Sequence, residues 1–165
     1  MSALPLRWQA DIDGLRALAA SSGGRVGLVT LPRPGAPRFV IDLDVVTAGS
    51  AAYPDDRQPR SRLAIELAAR HPFEPPVATV LTRVFHPHVF GSGVVCVGRH
   101  WQASEGLDLF VRRLVRLLAF DATQINPGSV ANAAAMTWYR ACRARHPAAF
   151  PSDPAAIAAF ESGAA

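Results

Sequence analysis

The chain predicts an α+β fold in which an N-terminal helix is followed by a four-stranded antiparallel meander, a glycine-bearing loop and C-terminal helices, all within one domain spanning 1–165. Apolar residues recur at helical spacing at both ends of the chain and with period two in the middle, and no linker or internal repeat interrupts them. In the first helix Trp8, Ile12, Leu15 and Ala19 form the inward stripe, and Gly23-Gly24 ends it. Strands are expected over Arg25 to Leu31, Arg38 to Val46, Arg62 to Ala68 and Val77 to Val84. The second shows the pattern best: Phe39, Ile41, Leu43 and Val45 alternate with Asp42 and Asp44, which gives a sheet with one wet face. Further on, Phe110, Leu114, Leu117 and Leu118 make one helical face, with Arg112, Arg113 and Arg116 turned away from it. Val130, Ala134, Trp138 and Ala141 make a second, and Pro154 to Phe160 a short last helix.

Composition narrows the classes of function. The chain has 165 residues, half of them apolar, which suits one sizeable core. No uninterrupted apolar run is long enough for a membrane span, and the N-terminus lacks a signal-peptide core, so no membrane association is expected. With two cysteines, Cys96 and Cys142, a disulfide framework is not expected, and a reducing cytoplasm is the natural setting. Cys142 reads as packing on a helix. All 17 basic residues are arginine. A GC-rich genome pushes lysine toward arginine, and a chain that carried an activated acyl group would also gain from having no lysine of its own to acylate. The net charge of +4 and the arginines at 112, 113, 116, 140, 143 and 145 would permit a nucleic-acid partner. No aromatic-basic platform accompanies them, so an acidic protein surface is the expected complement.

The chemistry concentrates in VFHPHVFGSGVVC, residues 84–96. His86-Pro87-His88 follows the fourth strand, Gly91-Ser92-Gly93 lets the chain reverse, and the reversal carries His88 toward Cys96. Thiolate is the nucleophilic form of cysteine, and a neighbouring imidazole can lower a thiol's pKa, polarise a thioester or move a proton. A buried structural cysteine beside two loop histidines has the same spacing. His86, His88, Cys96 and His100 are also four ligands of a kind zinc accepts, but H-x-H-x7-C-x3-H is no common zinc motif and no metal is expected. A cysteine protease would need a third group orienting the histidine, and none is visible.

These residues stand in a longer order. HPFEPP at 71–76, then VATVLTRVFHPHVF, GSGVVC and Trp101 resemble the core of ubiquitin-conjugating (E2) enzymes, whose usual pattern is YPFxPP, a strand, His-Pro-Asn, a glycine turn and the active-site cysteine. The resemblance is closest from about Arg62 to Leu118 and extends more weakly from about Arg7 to Tyr139. It implies the ubiquitin-conjugating fold, with Cys96 receiving a ubiquitin-like protein as a thioester from an E1-like activating enzyme and passing it to an amine on a target protein. The chain itself would need no cofactor, since ATP is used by the E1.

Residue by residue, the resemblance gives His88 the place of an asparagine, eight residues before Cys96, that stabilises the oxyanion or shapes the loop. A neutral imidazole can donate one N–H to an oxyanion and can also titrate. His88 is therefore left open as oxyanion donor, base or brace. His86, Pro87 and Trp101 take loop-structuring places, Phe73 the place of an aromatic that packs the loop and offers a surface to E3 ligases, and Arg7 and Arg16 places in the E1 contact. The carboxylates that orient an incoming lysine in many relatives have no match: Gly98 stands two residues after the cysteine, and Asp121, Asn126 and Ser129 are the candidates further on. The loop after Cys96 is trimmed and lacks the Ser-Pro-Ala gripped by RING domains. These traits resemble bacterial E2-like proteins of antiphage operons. Those are Bil-type systems with their own ubiquitin-like protein, E1 and deubiquitinase-like protease, or CBASS systems, where an E2-like protein acts on a cyclic-nucleotide synthase. A stand-alone chain of this size favours the Bil type. The alternative from another class is a non-catalytic E2-variant scaffold that binds a ubiquitin-like protein.

Overall fold

In the computed structural model, residues 3–98 and 100–161 are described. Helix α1 (Ala3–Ser21) leads into strands β1 (Val26–Leu28) and β2 (Arg38–Leu43), a small hairpin β3 (Thr47–Ala48) and β4 (Arg57–Gln58), then β5 (Ser61–Glu66) and β6 (Val77–Val80). Helices α2 (Leu107–Leu118), α3 (Ala133–Arg145) and α4 (Pro154–Glu161) follow. The main sheet has the order β1-β2-β5-β6 with every neighbouring pair antiparallel, and β3-β4 forms a separate two-stranded sheet.

The period-two pattern sets the inner face. Phe39, Ile41 and Leu43 of β2, with Leu63 and Ile65 of β5, are fully buried, and Leu15 and Leu18 of α1 and Phe110, Leu114 and Leu118 of α2 join them. Each such side chain contributes about 1.5–3 kcal/mol by leaving water. On the outer face Asp42 and Arg62 are cross-strand partners in the register, and Arg62 Nε donates to the Asp42 carboxylate at 2.7 Å.

The strands are shorter than the sequence pattern predicts. β1 stops at Leu28 because Val29 and Thr30 both donate to the Val40 carbonyl, which leaves the ladder one residue out of step. β6 stops at Val80; Leu81 N–H still reaches Arg62 O, but Phe85 N–H then turns to Ala48 O on the small hairpin. That hairpin is absent from the sequence reading, since two-residue strands carry no period.

Two helix faces also need correcting. In α1 the buried positions are Asp11, Leu15, Leu18 and, just after the helix, Ser22, while Trp8 and Ala19 pack at the margin and Ile12 is half-buried. An aspartate thus occupies a place on the apolar stripe. In α3 the expected face of Val130, Ala134, Trp138 and Ala141 is displaced by one position: Ala135, Met136, Tyr139 and Cys142 are buried, Ala134 and Ala141 are exposed, and Val130 precedes the helix. The reason is a second aromatic core, where Tyr53 stacks on Phe120 and Phe120 on Tyr139, with Trp138 edge-on. Among the described residues no helix is long and apolar enough to cross a membrane.

Candidate active site around Cys96

Residues 88–96 form a tight reversal. Phe90 N–H donates to Val94 O at 2.9 Å, Gly93 N–H to Phe90 O at 2.8 Å, and Cys96 N–H to His88 O at 2.7 Å. Gly93 sits at φ +91, and a Cβ there would lie 2.5 Å from the Val80 carbonyl oxygen, against the edge of β6. Neither the backbone angle nor the contact tolerates a side chain. Gly93→Ala is therefore expected to lower stability by about 2–4 kcal/mol, read as a drop of several degrees in melting temperature, because strain and overpacking add.

The three residues of His86-Pro87-His88 hold three different segments. His86 is fully buried; its Nε2–H donates to Leu117 O at 2.8 Å, its Nδ1 accepts from His88 N–H at 3.0 Å, and its ring packs on Phe120. Burial pushes its pKa down to about 3. The Pro87 carbonyl accepts from Ala131 and Asn132 N–H at 2.9 and 3.0 Å, which fixes the entry to α3. His88 is 2% exposed, and its Nε2 accepts from Asn126 N–H at 2.9 Å. That nitrogen therefore carries no proton. Burial lowers the His88 pKa, opposed by a hydrogen bond to the Ser129 main chain.

Cys96 is half-buried and its thiol is free. Its Sγ lies 3.5 Å from Ser129 Oγ. The two residues belong to different loops, and the turn carrying Ser129 hangs on His88. Cys142, by contrast, is 1% exposed with its thiol on Tyr53 O at 3.3 Å, a packing residue as expected. In front of Cys96 opens a cavity of about 330 Å³, lined among others by His88, Gly98, His100, Arg113, Gln124 and Asn126.

The other candidates divide. Asn126 lines the cavity, with its Oδ1 accepting from Gly128 N–H. Asp121 does not line it: its carboxylate caps the short turn Ala122–Gln124 through Thr123 and pairs with Arg116 Nε at 2.6 Å. Burial would raise the Asp121 pKa, but the Thr123 hydrogen bonds and Arg116 outweigh it and lower the value. Trp101 donates its indole N–H to Pro72 O at 2.7 Å and so ties the segment after Cys96 to the HPFEPP loop, where Phe73 stands 73% exposed.

Arg7 is engaged within the chain. Its guanidinium binds Asp11 at 2.9 Å and the carbonyls of Ala103 and Glu105, so it braces α1 against the segment before α2. Arg16 is exposed. The arginines of α2 are likewise engaged, Arg112 with Phe160 O, Arg113 with Glu105 and Arg116 with Asp121, and none is a free cation facing solvent. The nitrogens of His86 are both committed to the protein, and among the described residues no three His, Cys, Asp or Glu side chains converge on a metal position.

Sequence reasoning missed Arg113, Thr123 and Gln124 in the cavity wall. It also missed Asp11, whose signal was an acid on an apolar stripe. The geometry as a whole is a half-buried thiol in the wall of a cavity of mixed lining, on a loop fixed from three sides. A family model described as Ubiquitin-conjugating enzyme matches residues 58–151, more than half of the chain and the segment that carries this site.

Proposed function

The chain belongs to the ubiquitin-conjugating enzyme family, and from this premise we propose that Cys96 accepts the C-terminal carboxyl of a ubiquitin-like protein from an E1-like activating enzyme and passes it to an amine on a target protein. A conjugating function of the E2 type, with an E1 and a ubiquitin-like protein as partners, follows from the family. The thioester, the acceptor and the biological setting are the further steps of the proposal.

One observation carries it: Cys96 lines a cavity of about 330 Å³ and is only half-buried, with a hydroxyl 3.5 Å from its Sγ. A packing cysteine would be closed in, as Cys142 is. The lack of lysine supports the same reading, because no side-chain amine of the enzyme competes with the acceptor. Phe73, at 73% exposed, is offered to a partner, and Arg16 remains available for an E1 contact. The bacterial antiphage setting, Bil-type before CBASS, rests on the composition and on the trimmed loop between Cys96 and Trp101, and a cytoplasmic location goes with it. One observation favours the non-catalytic scaffold: the cavity lining named above contains no carboxylate to orient an amine.

The test is to mix the protein with its E1, ubiquitin-like protein and ATP. A thiol-sensitive adduct on a non-reducing gel is expected, absent in Cys96→Ala and converted to a thiol-resistant oxyester in Cys96→Ser. No adduct from an E1 that is itself charged with the modifier would leave the scaffold reading.

A further inference from the structure

Acyl transfer needs a hydrogen-bond donor where negative charge develops on the carbonyl oxygen. The histidine in the place of the usual asparagine is badly placed for that role. Its Nε2 accepts from Asn126 N–H at 2.9 Å and has no proton to give, and the ring is further held by the Ser129 main chain. The hydroxyl of Ser129 is differently situated, since it has a proton it can donate and lies 3.5 Å from the reacting sulfur.

Building on the thioester reading above, we infer that Ser129 Oγ–H is the oxyanion donor of the transfer step and that His88 is the positioning residue that holds it beside Cys96. His88 grips both partners at once. Its carbonyl accepts from Cys96 N–H at 2.7 Å, and its ring accepts from Asn126 N–H. Asn126 in turn closes the turn that carries the serine, through Gly128 N–H to its Oδ1 at 2.9 Å and Ser129 N–H to its main-chain oxygen at 3.2 Å. The nucleophile and the hydroxyl, 33 residues apart in the chain, are thus referenced to one residue, the first through its main-chain carbonyl and the second through its ring.

In the free enzyme the hydroxyl rests against sulfur. Once Sγ is acylated it becomes a poor acceptor, and the carbonyl oxygen, two bonds from the sulfur, comes within reach of a rotation of the serine side chain. When the amine nitrogen attacks the carbonyl carbon, the C–N bond forms and the carbonyl electron pair moves onto oxygen, where Ser129 holds it. Collapse of the tetrahedral centre breaks the C–S bond. Cys96 leaves as thiolate, the surplus amine proton goes to the thiolate or to water, and Ser129 is unchanged.

The experiment is single-turnover discharge of preloaded thioester to glycinamide over a range of concentrations. Ser129→Ala is expected to lower the limiting rate roughly a hundredfold, the scale of one lost oxyanion donor, with the half-saturating glycinamide concentration unchanged. Ser129→Thr, which keeps the hydroxyl, should stay close to wild type, and Ser129→Asp, an acceptor at neutral pH, should be as slow as the alanine variant. Loading from the E1 passes through the same kind of tetrahedral centre and should slow with it. An unchanged limiting rate in Ser129→Ala overturns the inference; so does a rise in half-saturating amine alone, or a Ser129→Asp variant faster than wild type, since either would make the serine an ammonium-orienting group. Melting curves of the variants separate misfolding from lost chemistry. A wild type that never loads refutes the thioester reading, an outcome distinct from a loaded wild type whose alanine variant discharges normally.

Discussion

Acidification from pH 6.5 toward 3 is expected to remove on the order of 4–5 kcal/mol of folding stability through His86 alone. The ring is fully buried and is held neutral, its pKa depressed from 6.5 to about 3 by burial. In the unfolded chain the same imidazole protonates below 6.5. Over the interval between the two values the unfolded state binds more protons than the folded one, so stability is intact above pH 6.5, falls as pH falls, and has lost this contribution fully near pH 3. Carboxylates such as Asp42 and Asp11, whose pKa values are lowered in the fold, add losses of the same sign, but only below the ordinary carboxylate range. The loss between pH 6.5 and 5 is therefore assigned to the histidines. Urea unfolding at pH 7, 6 and 5 measures it: the midpoint should drop steadily, and in His86→Gln it should start lower and change less. A wild-type midpoint that holds constant from pH 7 to 5 would mean that the buried ring takes up its proton without unfolding. His88 shifts in the same direction. Protonation of its Nε2 abolishes the acceptor for Asn126 N–H and releases the turn that carries Ser129, so activity should fall before the fold does.

How much of this was legible in the sequence depends on the range of the interaction. Phe110, Leu114, Leu117 and Leu118 are buried as their spacing predicts, because a 3.6-residue period is a local property of the helix they occupy. The inward face of β2 follows from alternation in the same way. The small hairpin Thr47–Ala48 with Arg57–Gln58 is too short to have a period and is tied down from far along the chain, by Phe85 N–H to Ala48 O and by the Trp138 indole N–H to Ala51 O. The α3 face shifts by one residue since an aromatic cluster gathered from four segments decides it, and one of those segments, around Tyr53, lies about 80 residues before the helix. In the site, the approach of His88 to Cys96 follows from a glycine turn within one short loop. The contact of Cys96 with Ser129 spans 33 residues and depends on a hydrogen bond from Asn126 to His88, which no local pattern encodes. Resemblance located the serine only to a window in which Asp121, Asn126 and Ser129 were equivalent. Geometry separates them, one being a cap paired with arginine, one the closure of a turn and one a hydroxyl against the thiol.

Asp11→Ala is expected to cost about 3–5 kcal/mol, the range for removing one partner of a buried charged network. The carboxylate is 3% exposed and serves three elements. Its Oδ2 binds Arg7 Nε at 2.9 Å and His71 Nε2 at 2.8 Å, and its Oδ1 accepts from Leu107 N–H at 3.2 Å. The last contact explains why an acid is tolerated on an apolar stripe. Helix α2 begins after Gly106, which has no side chain to cap it, and Leu107 N–H is one of the donors a helix start leaves unpaired. Asp11 supplies the missing cap from α1, with its negative charge at the positive end of the helix dipole. Its pKa is lowered although burial alone would raise it, because the His71 and Arg7 hydrogen bonds, the Arg7 charge and the Leu107 N–H together prevail. Alanine would leave the His71 Nε2 and the Leu107 N–H, both on buried residues, without their partner and would remove the counter-charge of Arg7, which keeps only the Ala103 and Glu105 carbonyls. Asp11→Asn should recover part of the loss, since its amide oxygen can still cap Leu107 while its amide nitrogen faces a guanidinium. Because His71 is in the loop that displays Phe73 and the Trp101 ring packs beside it at a tilt, the alanine variant should also loosen that loop, read as faster amide exchange at residues 71–74 at a pH and temperature where the core strands still resist. A urea midpoint within about 0.5 kcal/mol of wild type, the range of an ordinary surface change, would show that the aspartate merely fills space between α1 and α2.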